Sequence, residues 1–121
     1  MKRDMELIRE LILAIESQDS DFNYESVKAI GYDEPQIEYH LDLLIKQKLV
    51  IGEVHPLQGG FSPIFVVEKL SWEGHEFLEN TRNESVWKET VKIVKEKGGS
   101  MAIGVLTQVA ASVAKQRMGL S

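Results

Sequence analysis

Tyr24-Glu25-Ser26-Val27-Lys28-Ala29-Ile30-Gly31-Tyr32-Asp33-Glu34-Pro35-Gln36-Ile37-Glu38-Tyr39-His40-Leu41-Asp42-Leu43-Leu44-Ile45-Lys46-Gln47-Lys48-Leu49-Val50-Ile51 is the stretch on which the fold turns. A short helix is expected over Tyr24 to Ile30, with Asn23 capping it by accepting a bond from one of its free amides. Gly31 stops that helix, because glycine takes positive φ without steric cost. Asp33 and Gln36 then stand at capping-box spacing, and Pro35 falls in the first turn, where its missing amide is harmless. The gap Gly31-Tyr32-Asp33 has the length of the turn between two angled helices. In the second helix, Glu34 to Lys48, an inner stripe of Ile37, Leu41, Leu44 and Ile45 leaves Pro35, Tyr39, Asp42, Leu43 and Lys46 facing out.

The flanking segments extend this pair of helices. Leu49 to Val54 and Ile64 to Leu70 are β-rich runs, and His55 to Pro63 between them has two prolines and a Gly-Gly pair, which suits a longer hairpin loop. Upstream, Lys2 to Glu16 carries Met5, Ile8, Leu11, Ile12 and Ile15 at helical spacing, a core helix. Downstream, Ser71 caps a helix to about Thr81 that offers Trp72, Phe77 and Leu78 to close over the sheet. Asn83 caps a further helix to Lys97 with Trp87, Val91 and Val94 as its stripe, and Gly98-Gly99 ends it. Ser100 opens the last helix, whose seam is Ile103, Leu106, Val109, Ala110 and Val113. The expected architecture is mainly α with a small β-hairpin: a module over residues 1–82 and a helical extension over residues 83–121.

Composition narrows the function classes. A chain of 121 residues buries a core without covalent staples. With no cysteine there is no disulfide, thiolate zinc site or thiol nucleophile, which fits a reducing cytoplasm, the expected location. The start Met1-Lys2-Arg3-Asp4 is followed by Glu6, Arg9, Glu10 and Glu16, so no signal peptide is expected. The most apolar stretch, Met101 to Ala114, contains Thr107, Gln108 and Ser112 and falls short of the roughly 20 residues a membrane span needs, so no membrane partner is expected. The net charge of -5 conceals an asymmetry. Residues 1–82 hold eight Lys and Arg against sixteen Asp and Glu, whereas residues 83–121 hold six against three. Attraction to phosphate must come from the tail or from a few local cations.

The stretch Ile37 to Val50 resembles the second helix and first strand of winged helix-turn-helix bacterial regulators, and Leu70-Ser71-Trp72-Glu73-Gly74-His75-Glu76-Phe77-Leu78 is similar to the leucine-threonine-x-x-glycine opening of the helix after their hairpin, the "wing". Across nearly its full length, including Met1 to Met5, Leu70 to Leu78, Val86-Trp87 and Lys95-Glu96-Lys97-Gly98-Gly99-Ser100, the chain also resembles a bacterial and prophage group, domain-of-unknown-function family 2513. The first resemblance implies a winged helix-turn-helix fold and a cytoplasmic DNA-binding protein of transcriptional-regulator type, acting as a dimer.

On that reading helix 34–48 enters a major groove, Gln36 and Tyr39 lie nearest the bases, and Lys28 and Lys46 hold phosphates of double-stranded DNA. Lys88, Lys92 and Lys95 recur at i, i+4 and i+7 and form either a second phosphate track or a solvated face. The seam from Ile103 to Val113 serves either a homodimer or the module's own core. Charge opposes the DNA reading: Asp33, Glu34, Glu38 and Asp42 outnumber Lys46 and Lys48, and residues 55–63 contain no Lys or Arg, where winged regulators commonly carry a basic tip.

The alternative is a non-catalytic protein-interaction module whose acidic helix, with Tyr39 and Leu43 at its centre, docks on a basic protein partner. No enzyme, cofactor or metal site is expected. Gly59-Gly60-Phe61-Ser62 lacks the frames of a phosphate loop and of a nucleophile elbow, and His75-Glu76 lacks the second histidine of a zinc-binding helix.

Overall fold

The computed structural model describes residues 2–18, 22–97 and 102–119. Its elements run α1 (Met5–Ser17), α2 (Glu25–Lys28), α3 (Glu34–Lys46), β1 (Val50–His55), β2 (Ile64–Leu70), α4 (Trp72–Thr81), α5 (Glu84–Glu96) and α6 (Ile103–Arg117). Two compact units make up the chain, Met1–His75 and Glu76–Ser121, and the division falls inside α4. The sequence boundary at residue 82 follows the end of the helix opened at Ser71, whereas the units divide at His75.

In the first unit α1 starts where Asp4 accepts the Leu7 amide, and it buries Leu7, Ile8, Leu11, Ile12 and Ile15. Each such aliphatic side chain contributes about 2 kcal/mol of gross transfer free energy. Met5, expected on that face, sits in the opening turn and is only half-buried. The Asn23 side chain accepts the Glu25 amide, as its position suggested, and Gly31 has φ +108.

α3 begins with both halves of a capping box, Asp33 Oδ1 accepting the Gln36 amide and Gln36 Oε1 accepting the Asp33 amide. It ends at Lys46, two residues before the expected limit, because Lys48 turns into the left-handed region with φ 64. The amides of Lys48 and Leu49 fold back onto the carbonyls of Ile45 and Leu44, the two bonds of a Schellman stop. That stop aims the chain into β1. The buried stripe of α3 is Ile37, His40, Leu41 and Leu44; Ile45, expected there, is half-buried.

β1 and β2 form a two-stranded antiparallel hairpin whose register skips Glu68 between Ile51↔Lys69 and Gly52↔Val67. A Cβ at position 52 would collide with the Val66 carbonyl, so this irregularity needs glycine. Gly74 is fixed in the same way, since a Cβ there would collide with the Leu49 carbonyl. The Ser71 hydroxyl donates to the Lys48 carbonyl and accepts the Gly74 amide, while the Ser71 amide donates to the Leu49 carbonyl. The Ser71-x-x-Gly74 spacing is therefore a corner joint between the end of α3 and the start of α4.

In the second unit Phe77 meets Trp87 edge-on, with ring centroids 6.2 Å apart. Asn83 caps α5 by accepting the Ser85 and Val86 amides, and α5 buries Val86, Trp87, Thr90 and Val94, with Val91 half-buried. α6 packs along α5 and buries Ile103, Leu106, Ala110 and Val113. Gly98, Gly99 and Ser100, read as the α5 stop and the α6 start, lie outside the described residues. Among the described residues no helix is long and apolar enough to cross a membrane.

Candidate functional site

The residues singled out in the sequence separate into three groups. The first surrounds α3. Gln36, assigned to a base edge, already spends its side-chain oxygen on the Asp33 amide at 3.0 Å. A bidentate contact to adenine needs that oxygen together with the amide nitrogen, so capping and base reading compete for one group. Lys28 lies 3.4 Å from Glu34 and 3.8 Å from Glu25, and Lys46 lies 2.8 Å from Asp42. Both lysines assigned to phosphates face carboxylates of their own surface. Tyr39 and Leu43 are half-buried, not fully outward, and the Tyr39 ring stands edge-on to His40 at 5.2 Å.

His40 is 1 % exposed and joins two segments. Its Nε2 accepts the Asp4 amide and its Nδ1 donates to the Gln36 carbonyl, both at 2.8 Å, an arrangement that uses the neutral ring in one tautomer. The sequence reading gave it no role. The signal was present, because position 40 falls on the same face as Ile37, Leu41 and Leu44.

The surroundings of α3 are electronegative. Burial, then the charges of Glu38 and Glu34, and last a hydrogen bond to Glu38, push the Tyr24 phenol up to about 12. Burial, followed by neighbouring Glu34, raises the Glu38 carboxyl, against the lowering effect of the Tyr24 bond. Tyr32 is raised by burial and then by Asp4 and Glu6. These shifts share burial as the leading cause and a carboxylate as the next.

The second group is the hairpin. Its outward face pairs Ile64 with His55, Val66 with Glu53 and Ile51 with Lys69 across the strands. Phe61 is 72 % exposed in the loop, where Gly59 and Gly60 both take positive φ, and Leu57 is exposed beside them. An aromatic in a loop between two strands is at the surface by topology, so this exposure was legible in the sequence although it was not singled out.

The third group lies on α5 and α6. Lys88, Lys92 and Lys95 are exposed, and among the described residues none of them enters an ion pair. Ser85, Lys88, Glu89, Lys92 and Arg117 line an open recess of about 450 Å³. Arg117 reaches Glu89 Oε2 through Nε at 3.1 Å and Nη2 at 2.9 Å. Ser85 and Arg117 were missed, and so was the pairing of Arg117 with Glu89, since nothing in the spacing of two separate helices reveals a cross-helix pair. Of the residues offered for an oligomer seam, Ile103, Leu106, Ala110 and Val113 are buried within the chain itself, and Val109 is half-buried. Apolar periodicity reports that a face is covered, not which chain covers it.

Among the described residues no cluster of three or more His, Asp or Glu side chains could hold a metal ion. An uncharacterised protein of Haemophilus influenzae is 29 % identical over 119 residues, covering 98 % of this chain and 99 % of that one. No solved structure matches the chain. Residues 2–100 match the family described as hypothetical protein (DUF2513), and the chain belongs to that family.

Proposed function

We propose that this chain is a non-catalytic protein-interaction module of regulatory type, built on a winged-helix scaffold, whose first unit docks on a basic and partly apolar protein surface. The observation that carries it is the acidic setting of α3, in which Lys28 and Lys46 lie among Glu34, Glu25 and Asp42 while Gln36 is held in its capping box. Exposed ion pairs are worth about 1 kcal/mol or less, so breaking them is not the obstacle to DNA. Net charge is the obstacle. Over residues 25–48, five carboxylates stand against three lysines, and a major groove would bring Glu34, Glu38 and Asp42 against phosphates.

The hairpin supports the same reading. A tip that presents Phe61 and Leu57 without Lys or Arg has no grip on a minor groove, whereas an exposed aromatic beside aliphatics is the usual core of a protein interface. The partner's basic rim is set by the charge of residues 1–82, where acidic groups outnumber basic ones two to one.

The test uses a labelled amphipathic peptide rich in Lys and Leu. Binding should weaken about tenfold with Phe61→Ser and again with Glu34→Gln plus Glu38→Gln. Affinity indifferent to both changes would refute the docking reading. In a parallel arm, Lys28→Gln plus Lys46→Gln should leave any binding to random-sequence duplex unchanged; lost duplex binding would restore α3 as a DNA reader.

A further inference from the structure

We propose a second, separate binding surface: a track for the phosphodiester backbone of duplex nucleic acid along α5, completed by Arg117 of α6. Lys88, Lys92 and Lys95 occupy one edge of α5, and the seven helical steps from the first to the last rise about 10 Å along the helix axis. One strand of a duplex presents a phosphate about every 3.4 Å of its axis, so the same length meets roughly three phosphates. The glutamates at the helix ends, Glu84 and Glu96, leave the stretch between them net positive.

Glu89 is the one carboxylate inside the track, and Arg117 holds it through two bonds to a single oxygen. Its charge is thereby spent on α6 and not on Lys88 or Lys92. The recess then offers two ammonium groups, the Ser85 hydroxyl and the remaining guanidinium donors of Arg117, against one occupied carboxylate. Flexible lysines act as point charges, and an open recess accommodates a rod better than it encloses a small molecule. The chain's net charge of -5 opposes this at long range, but at 0.1 M salt charges farther than about 10 Å are largely screened and the local cations decide.

The experiment is anisotropy of a labelled random-sequence duplex with the full chain over a chloride series. With about three phosphates neutralised, the slope of log K against log salt should be about -2.7, so that affinity falls about 40-fold between roughly 50 and 200 mM. Lys88→Gln plus Lys92→Gln should flatten the slope by about 2 with unchanged thermal melting. Glu89→Gln should tighten binding and steepen the slope by about 1, a gain that misfolding cannot produce. No binding at the lowest salt, a slope insensitive to the lysine changes, or full displacement by inorganic phosphate at matched ionic strength would overturn the track. The first two outcomes exclude a phosphate contact there, and the third marks a discrete ion pocket. The docking reading of the first unit is untouched by each of them.

Discussion

The lysines beside α3 and those of α5 have the same chemistry and opposite circumstances. Lys28 and Lys46 are within ion-pair distance of carboxylates on neighbouring turns, whereas Lys88, Lys92 and Lys95 have no such partner among the described residues. The expected helix-turn-helix order points to the first set as reading residues. Electrostatic position points to the second. The difference teaches that an element's place in a familiar order says little about what it grips until its neighbours are counted.

The largest change that should sharpen this contrast acts on the corner holding the first unit in shape. Gly74→Ala forces a Cβ onto the Leu49 carbonyl and should cost about 3 kcal/mol, read by urea unfolding, while duplex binding through α5 persists at temperatures where the chain remains folded. His40→Ala removes a buried ring and leaves the Asp4 amide and Gln36 carbonyl without their partner. A loss of about 2 kcal/mol is expected. Measured neutrality would show that His40 is not a structural link.

Gln36→Ala should cost about 1 kcal/mol of stability through the lost half of the capping box, and it should leave duplex affinity unchanged. Equal stability with weaker duplex binding would reverse the roles assigned to that side chain. The smallest effect is one of pH. The Tyr24 phenol is raised in the fold from 10.0 to about 12, so the folded chain keeps a proton that the unfolded chain releases. Its stabilising contribution is complete below pH 10 and is lost as pH climbs towards about 12. In alkaline unfolding series, Tyr24→Phe should remove that part of the decline; an unchanged pH profile would place the Tyr24 titration elsewhere.

Much of the fold was legible because local chemistry and tertiary structure agree over residues 23–75. Asn23 and the Asp33-Gln36 pair do in the structure what their spacing demands, Gly31 takes the positive φ expected of it although α2 already ends at Lys28, and the Gly-Gly loop separates two antiparallel strands. The candidate site was less legible. Gln36 satisfied two readings at once, capping and base contact, and the sequence has no means of charging it only once. Ile103 to Val113 has an apolar stripe that suits a partner helix equally well in the same chain or another one, and here α5 of the same chain covers it. His40 was passed over because a histidine amid aliphatics does not fit an apolar stripe by type, although it fits by position. Arg117 and Glu89 are 28 residues apart, beyond any periodicity.

The most direct measurement compares two double variants on the same labelled duplex across a salt series: Lys28→Gln with Lys46→Gln, and Lys88→Gln with Lys92→Gln. The account predicts a wild-type slope for the first pair and a slope flatter by about 2 for the second. A flattened slope for the first pair with no change in the second would contradict it.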